Sequence, residues 1–339
     1  MKFLIVGPSW VGDAVMAQTL YKLIKESNVN SKIEVLSPNW SIPILERMEE
    51  VSRSIISPFN HGELRIKSRF DFGRELREEG YERAIIMTNS LKSSLIPFFA
   101  KIPVRTGWLG EMRFGLINDF RSKDKSNYPL MIEQFAKLSI NPIKDLNKSL
   151  PYPSLTIDSD NLKEQLIKLE IDSEKPSIAI CPGAEFGPAK RWPSNYYAEV
   201  CNEYLSRSWN ILVFGSNNDE KIGNNIQKRI DKDLSDQFFN LIGKTSLIDV
   251  IDLLSHCKKV VTNDSGLMHI AAAVDTPLVA VYGPSSPQFT PPLIDNHVVL
   301  RKSEGFDSIR EGSEEHGYHE SLIAIKPIEV LEGLDRLKK

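Results

Sequence analysis

Two adjacent cations, Lys190 and Arg191, close a run (Pro182-Gly183-Ala184-Glu185-Phe186-Gly187-Pro188-Ala189-Lys190-Arg191-Trp192-Pro193) that follows the short apolar stretch Ser177-Ile178-Ala179-Ile180-Cys181. A flexible, glycine-containing loop that carries cations at the end of a strand is built to meet an anion. Ligands of parallel sheets sit beyond the carboxyl ends of the strands, so Lys190 is expected where a phosphate is held. A helix is expected to start after Trp192, with Pro193 or Ser194 as its signal.

A second constellation lies about eighty residues on. The buried-strand pattern of Lys258 to Thr262 runs into Asn263-Asp264-Ser265-Gly266-Leu267-Met268-His269, which reads as strand, turn and helix. Asp264 and Ser265 are suited to cap that helix, Gly266 permits close approach to the backbone, and the free first-turn amides with the helix dipole favour a phosphate. His269 follows Ser265 by one helical turn, so the two share a face. A third polar loop, Gly283-Pro284-Ser285-Ser286-Pro287, follows the apolar stretch 277–282.

The amino-terminal part has its own glycine loop, Gly7-Pro8-Ser9-Trp10-Val11-Gly12-Asp13. It is neither the dinucleotide fingerprint nor a P-loop, because Asp13 and Ala14 follow Gly12 where a P-loop has Lys and then Ser or Thr. An acid there repels phosphate. Asp13 is either a helix cap or an acid that accepts a proton from an alcohol.

These loops need a scaffold to hold them. Strand-like stretches at 2–6, 33–36, 53–56, 83–87 and 104–106 alternate with helical patterns, and the alternation repeats near 178 and at 211–214, 239–242, 260–262 and 278–282. Such alternation predicts parallel sheets built from βαβ units. The fold class is therefore α/β, with two Rossmann-like domains facing a cleft. The segment 141–159, rich in Pro, Asn, Asp and Ser, reads as a linker. We place an amino-terminal domain at 1–160, a carboxy-terminal domain at 161–325, and at 326–339 an amphipathic terminal helix, with Ile328, Val330, Leu331, Leu334 and Leu337 apolar, that packs back on the domain junction.

A chain of 339 residues that is 41% hydrophobic suffices for two cores. Its formal net charge of -3 argues against general nucleic-acid binding. Cys181, Cys201 and Cys257 are too few and too scattered for a disulfide framework or zinc site, which points to a cytoplasmic setting. No apolar run is long enough to span a bilayer, so membrane contact is expected to be peripheral. Of the acidic triplets that resemble metal-binding motifs, Asp158-Ser159-Asp160 and Asp231-Lys232-Asp233, neither is expected at the carboxyl end of a strand, and both read as caps or solvated surface. His316-Gly317-Tyr318-His319 has metal-like spacing with nothing to complete a site.

Together with Asn89-Ser90-Leu91-Lys92-Ser93, Arg105-Thr106-Gly107-Trp108, Glu111-Met112-Arg113 and Gly317-Tyr318-His319, these loops resemble, over essentially the whole chain, the ADP-heptose glycosyltransferases of the inner lipopolysaccharide core. The resemblance implies a GT-B architecture. The carboxy-terminal domain would hold ADP-heptose and the amino-terminal domain a lipid A-Kdo-heptose acceptor at the inner leaflet. Carried over by position, Lys190 falls at the donor phosphates, Asp264, Ser265, Gly266 and His269 in the donor-binding motif, and Asp13 at the catalytic base. Asp219 (or Glu220) falls in the segment that contacts the donor ribose.

The acceptor would carry phosphates and acidic sugars. Arg65, Lys67, Arg69, Lys92, Arg105, Arg113 and Arg121 are the candidate cations, chiefly Lys92, Arg105 and Arg113. The expected reaction is an inverting displacement with no cofactor or metal beyond the sugar nucleotide. Transfer to Kdo itself, or epimerisation or hydrolysis of the sugar nucleotide on the same scaffold, are the competing enzymatic readings. A dehydrogenase is disfavoured by the missing fingerprint, and a non-catalytic sensor by Asp13.

Overall fold

The computed structural model describes residues 1–60, 62–122, 126–140 and 149–338. The chain divides into two compact units, Met1–Pro153 and Ser154–Lys339. Residues 141–148 of the expected linker lie outside the described residues; 149–158 form neither helix nor strand. The division falls earlier than the expected 160. Leu155 donates its amide to Ala273 O (2.8 Å) and Asp158 its amide to Asp252 Oδ1 (2.9 Å), which commits this stretch to the second unit.

The first unit is built on β1 (Lys2–Val6), β2 (Lys32–Ser37), β3 (Val51–Ile56), β4 (Arg83–Ile86), β5 (Val104–Trp108) and β6 (Asp119–Arg121). They form one sheet in the order β3-β2-β1-β4-β5-β6, every pair parallel. The second unit holds β7 (Ser177–Cys181), β8 (Asn210–Val213), β9 (Phe238–Asn240), β10 (Lys259–Asn263), β11 (Leu278–Tyr282) and β12 (His297–Arg301) in the order β12-β11-β10-β7-β8-β9, again all parallel. Each unit thus repeats the doubly wound order, with the connection direction reversing between β1 and β4 and between β7 and β10.

Central strands with both faces covered must be apolar throughout, and β7 and β11 are buried at every residue. Two edge strands, β6 and β12, have no counterpart among the sequence expectations. β6 is three residues of mixed polarity, and β12 is half-exposed at each position. The helix Pro327–Arg336 lies on the second sheet. Val330 and Leu334 are buried in the core that contains Val279 and Val281, while Ile328 is exposed, and Lys259 Nζ donates to Leu334 O (2.6 Å). All three cysteines are free and buried. Among the described residues no helix is long and apolar enough to cross a membrane.

Candidate active site

Strand register brings the second unit's polar loops to one level. Thr262 pairs with Cys181 and Asn263 with Val281, so the loops after β7, β10 and β11 leave the sheet side by side, the first two at its switch point. Lys190 ends a short 3-10 turn, and its Nζ lies 2.6 Å from Asp264 Oδ2, with the carboxylate nearly buried and the ammonium partly open. The same Nζ lies 5.4 Å from the centroid of Phe186, a ring that Arg310 also approaches. Gly187 has φ 150°, and a Cβ there would stand 2.3 Å from Arg310 O, so only glycine allows the segment near 310 to lie against this loop.

Asn263 fastens the two loops together. It is fully buried, accepts from Trp192 N (3.0 Å) and Tyr197 Oη (2.9 Å), and donates to Pro182 O (2.7 Å). The sequence reading placed Asn263 in the motif but assigned it no role. Its signal was a polar residue ending an apolar strand, where burial demands partners.

The helix Gly266–Ala273 has Ser265 at its N-cap, yet the Ser265 side chain makes no capping hydrogen bond to its first-turn amides. The Ser265 hydroxyl lies 3.4 Å from that of Thr262. His269 is 5% exposed, and its Nδ1 finds no hydrogen-bond partner among the described residues. Burial lowers its pKa to about 4, Asp264 opposing the shift and Lys190 adding to it, so the ring is neutral at pH 7. Ser285 Oγ, in the loop after β11, is likewise buried without a partner. A rim with an uncapped helix start, a cation and polar atoms left unsatisfied is suited to an anionic ligand rich in acceptors.

Asp219 and not Glu220 is the acid that stands here. Asp219 is buried, accepts from Ser216 N and Oγ (3.0 Å each), and lies 3.4 Å from Arg191 Nη2, whereas Glu220 is exposed. Its carboxylate presses on Gly183, where a Cβ would come within 2.5 Å of Oδ2. Arg191 therefore holds this acid and Ala184 O rather than solvent.

In the first unit, Val6 pairs with Ile86, so the loop carrying Asp13 and the segment after β4 also leave the sheet at one level. Asp13 sits in the first turn of the helix Val11–Met16, partly exposed, and Lys92 in the first turn of the helix Leu91–Phe99. Lys92 has no hydrogen-bond or ion-pair partner among the described residues.

Two of the expected acceptor cations serve another purpose. Arg113 is 1% exposed and donates to Thr88 O (3.0 Å), Asn89 Oδ1 (2.7 Å) and Trp108 O, knitting the loop after β5 to the loop after β4. Arg105 donates to Ile102 O (2.6 Å), Leu116 O (2.7 Å) and Gly115 O (3.3 Å). A guanidinium whose donors are spent on backbone carbonyls positions loops, and the structure does not offer these two as open phosphate contacts. Arg69 is similarly committed to Glu63 O and Leu64 O, and Arg121 to Asp119 and Lys137 O. Arg65 and Lys67 are exposed.

The metal-like spacings are otherwise employed. Asp158 caps the helix Ser159–Lys168, His319 Nδ1 accepts from Ser321 N (3.2 Å), and Asp231 precedes a 3-10 turn. Among the described residues no group of three or more His, Cys, Asp or Glu is arranged to hold a metal ion.

Two doubly wound domains, with polar loops gathered at the second one's switch point, are the arrangement of GT-B-type glycosyltransferases. The chain belongs to glycosyltransferase family 9 (heptosyltransferase), whose sequence profile matches residues 69–319. It is 46% identical to lipopolysaccharide heptosyltransferase 2 of Salmonella typhimurium, over 99% of this chain and 98% of that protein, and 45% identical, with the same coverage, to the Escherichia coli protein of that name. Its fold superposes on the solved structure of E. coli ADP-heptose LPS heptosyltransferase II with a TM-score of 0.90, at 43% identity, covering 99% of this chain and 98% of the other.

Proposed function

We propose that this protein transfers heptose from ADP-heptose onto the first heptose of a lipid A-Kdo-heptose acceptor and releases ADP. The observation that carries the reading is the Lys190–Asp264 pair beside the uncapped helix Gly266–Ala273, in a chain of this family. The donor already contains its leaving group. It requires a nucleophile, charge neutralisation and alignment.

The acceptor hydroxyl attacks the anomeric carbon from the face opposite ADP. A carbon–oxygen bond forms to the acceptor as the bond to the diphosphate oxygen breaks, which inverts the centre. Asp13 takes the hydroxyl proton. Lys190 and the first-turn amides carry the charge that develops on the departing diphosphate, a preorganised electrostatic contribution. Asp264 holds Lys190 in place, Asp219 meets the donor ribose, and Ser265 and neutral His269 offer hydrogen bonds to the donor. Lys92 is the open cation for the acceptor; Arg105 and Arg113 act through the loops they hold.

Charge neutralisation by these groups leaves no step that needs a metal or cofactor. A lipid-anchored acceptor puts the enzyme on the cytoplasmic side of the inner membrane as a peripheral protein, with no role for nucleic acid.

The test is heptose transfer from ADP-heptose, with a chelator present, to two purified acceptors, lipid A-Kdo with and without the first heptose. Product on the heptose-bearing acceptor alone is expected. Product on the bare Kdo acceptor alone assigns transfer to Kdo, and ADP release without transfer overturns the glycosyltransferase reading.

A further inference from the structure

Residues 302–319, between β12 and the short helix Glu320–Ile323, run as a strap against the second unit's polar loops. Ser303 Oγ donates to Gly283 O (2.6 Å) and Asp307 N to Pro284 O (2.9 Å), both in the loop after β11. Ala189 N donates to Arg310 O (3.0 Å), and a Cβ at Gly317 would stand 3.1 Å from Pro188 Cβ. Main-chain bonds, which do not involve its side chain, therefore fix Arg310 beside the loop that ends in Lys190.

The Arg310 side chain is exposed, and its guanidinium lies 5.4 Å from the centroid of Phe186, the ring that Lys190 Nζ approaches at the same distance. Among the described residues that guanidinium has no hydrogen-bond or ion-pair partner. Two cations held on one ring repel each other, and an anion meeting both turns that repulsion into attraction.

The other charges of the rim call for such a cation. Lys190 is paired with Asp264 and Arg191 with Asp219. Glu185, exposed in the same loop, adds a third carboxylate, and residues 283–293 carry no charged side chain. Two cations against three acids do not by themselves neutralise a diphosphate, and the first-turn amides of the helix Gly266–Ala273 supply only partial charge. Arg310 brings the cations level with the acids, and its donors are unspent. Its planar fork suits phosphate oxygens.

We propose that Arg310 binds the diphosphate of the sugar-nucleotide donor together with Lys190. The proposal rests on the reading of this rim as the donor site and adds to it a residue from a different connection of the sheet. Sequence reasoning gave Arg310 no role, because its neighbours Ile309 and Glu311 do not place it at a strand end; the bonds of the strap do.

The test is calorimetric titration of the full chain with ADP and with inorganic pyrophosphate, for the parent and for Arg310→Lys, Arg310→Ala and Arg310→Glu. The Ala variant should bind both ligands about tenfold more weakly, the loss expected for one charge-assisted contact at a partly exposed site. Lys should fall between Arg and Ala, and Glu should be weaker than Ala. Because the strap is tied by its backbone, the ligand-free melting temperature should stay within about 2 °C of the parent in all three. Parental ADP affinity in the Ala variant overturns the proposal. So do equal losses in the Lys, Ala and Glu variants with a lowered ligand-free melting temperature, since the side chain then serves only to hold the strap. If the parent binds pyrophosphate but not ADP, the donor reading fails and the pyrophosphate series judges Arg310; a parent that binds neither overturns both.

Discussion

In the proposed reaction Lys190 and Asp13 divide the chemistry between charge neutralisation and proton removal, and their variants should separate accordingly. Asp13→Asn is expected to lower kcat by about 10²- to 10⁴-fold and leave ADP affinity intact, the range for a lost general base. Lys190→Ala should lower kcat by about 10²- to 10³-fold and weaken ADP as well, because it strands the Asp264 carboxylate beside the diphosphate. Adding Asp264→Asn to Lys190→Ala should therefore recover part of the ADP affinity in a titration. No recovery would mean that Asp264 does more than hold the lysine. His269 yields a pH signature. Its pKa is about 4 in the folded protein against an ordinary 6.5, so below pH 6.5 the unfolded chain binds a proton that the folded one refuses. Stability should fall between pH 6.5 and 4 by about 3 kcal/mol from this residue and no further below pH 4. Urea titrations of His269→Gln across that window should show a shallower acid loss than the parent; an unchanged slope would refute the assignment.

At the scale of elements, the site depends on two loops leaving neighbouring strands and being fastened where they leave. Asn263 does the fastening, with bonds to residues 66, 71 and 81 positions away. Asn263→Ala removes the partner of a buried amide, hydroxyl and carbonyl at once. At about 1 to 3 kcal/mol for each unsatisfied group, a loss of about 3 kcal/mol in urea unfolding is expected, together with weaker ADP binding. An alanine variant with parental stability would show that the loops hold without it. The loops themselves were legible from residue order, since β7 and β11 are largely apolar, β10 has Val260 and Val261 at its centre, and each is followed by a polar, glycine-containing turn. The edge strands β6 and β12 were not. An edge has one hydrogen-bonded neighbour and partial solvent, so its residues escape the constraint that makes central strands uniformly apolar.

In the molecule as a whole, each unit has its own sheet and core, and the rim proposed to hold the donor is built from residues of the second. ADP should therefore protect the second unit selectively. In hydrogen exchange, saturating ADP is expected to slow exchange at 182–193, 263–269 and 283–287 and leave the core strands of the first unit unchanged. At a hundredfold excess over Kd the linked stabilisation of the unit that binds is about 2.7 kcal/mol. Equal protection of β1 and β4 would contradict a donor site confined to the second unit.

Local order along the chain determined the alternation of strands and helices, the anion-seeking loop that ends in Lys190, the strand–turn–helix of Asn263 to His269, and the acid after Gly12. Those are properties of neighbours in sequence, expressed through periodicity, capping and turn chemistry. The tertiary structure decided which groups meet. The order β12-β11-β10-β7-β8-β9 puts β10 against β7 and so brings Asp264 to Lys190 across 74 positions. It buried Asp219 and left Glu220 exposed, and it turned Arg105 and Arg113 inward onto carbonyls, although in sequence they look like open cations. Whether a charged side chain faces a ligand or its own backbone depends on which carbonyls the fold leaves within reach, and that is a property of packing rather than of spacing.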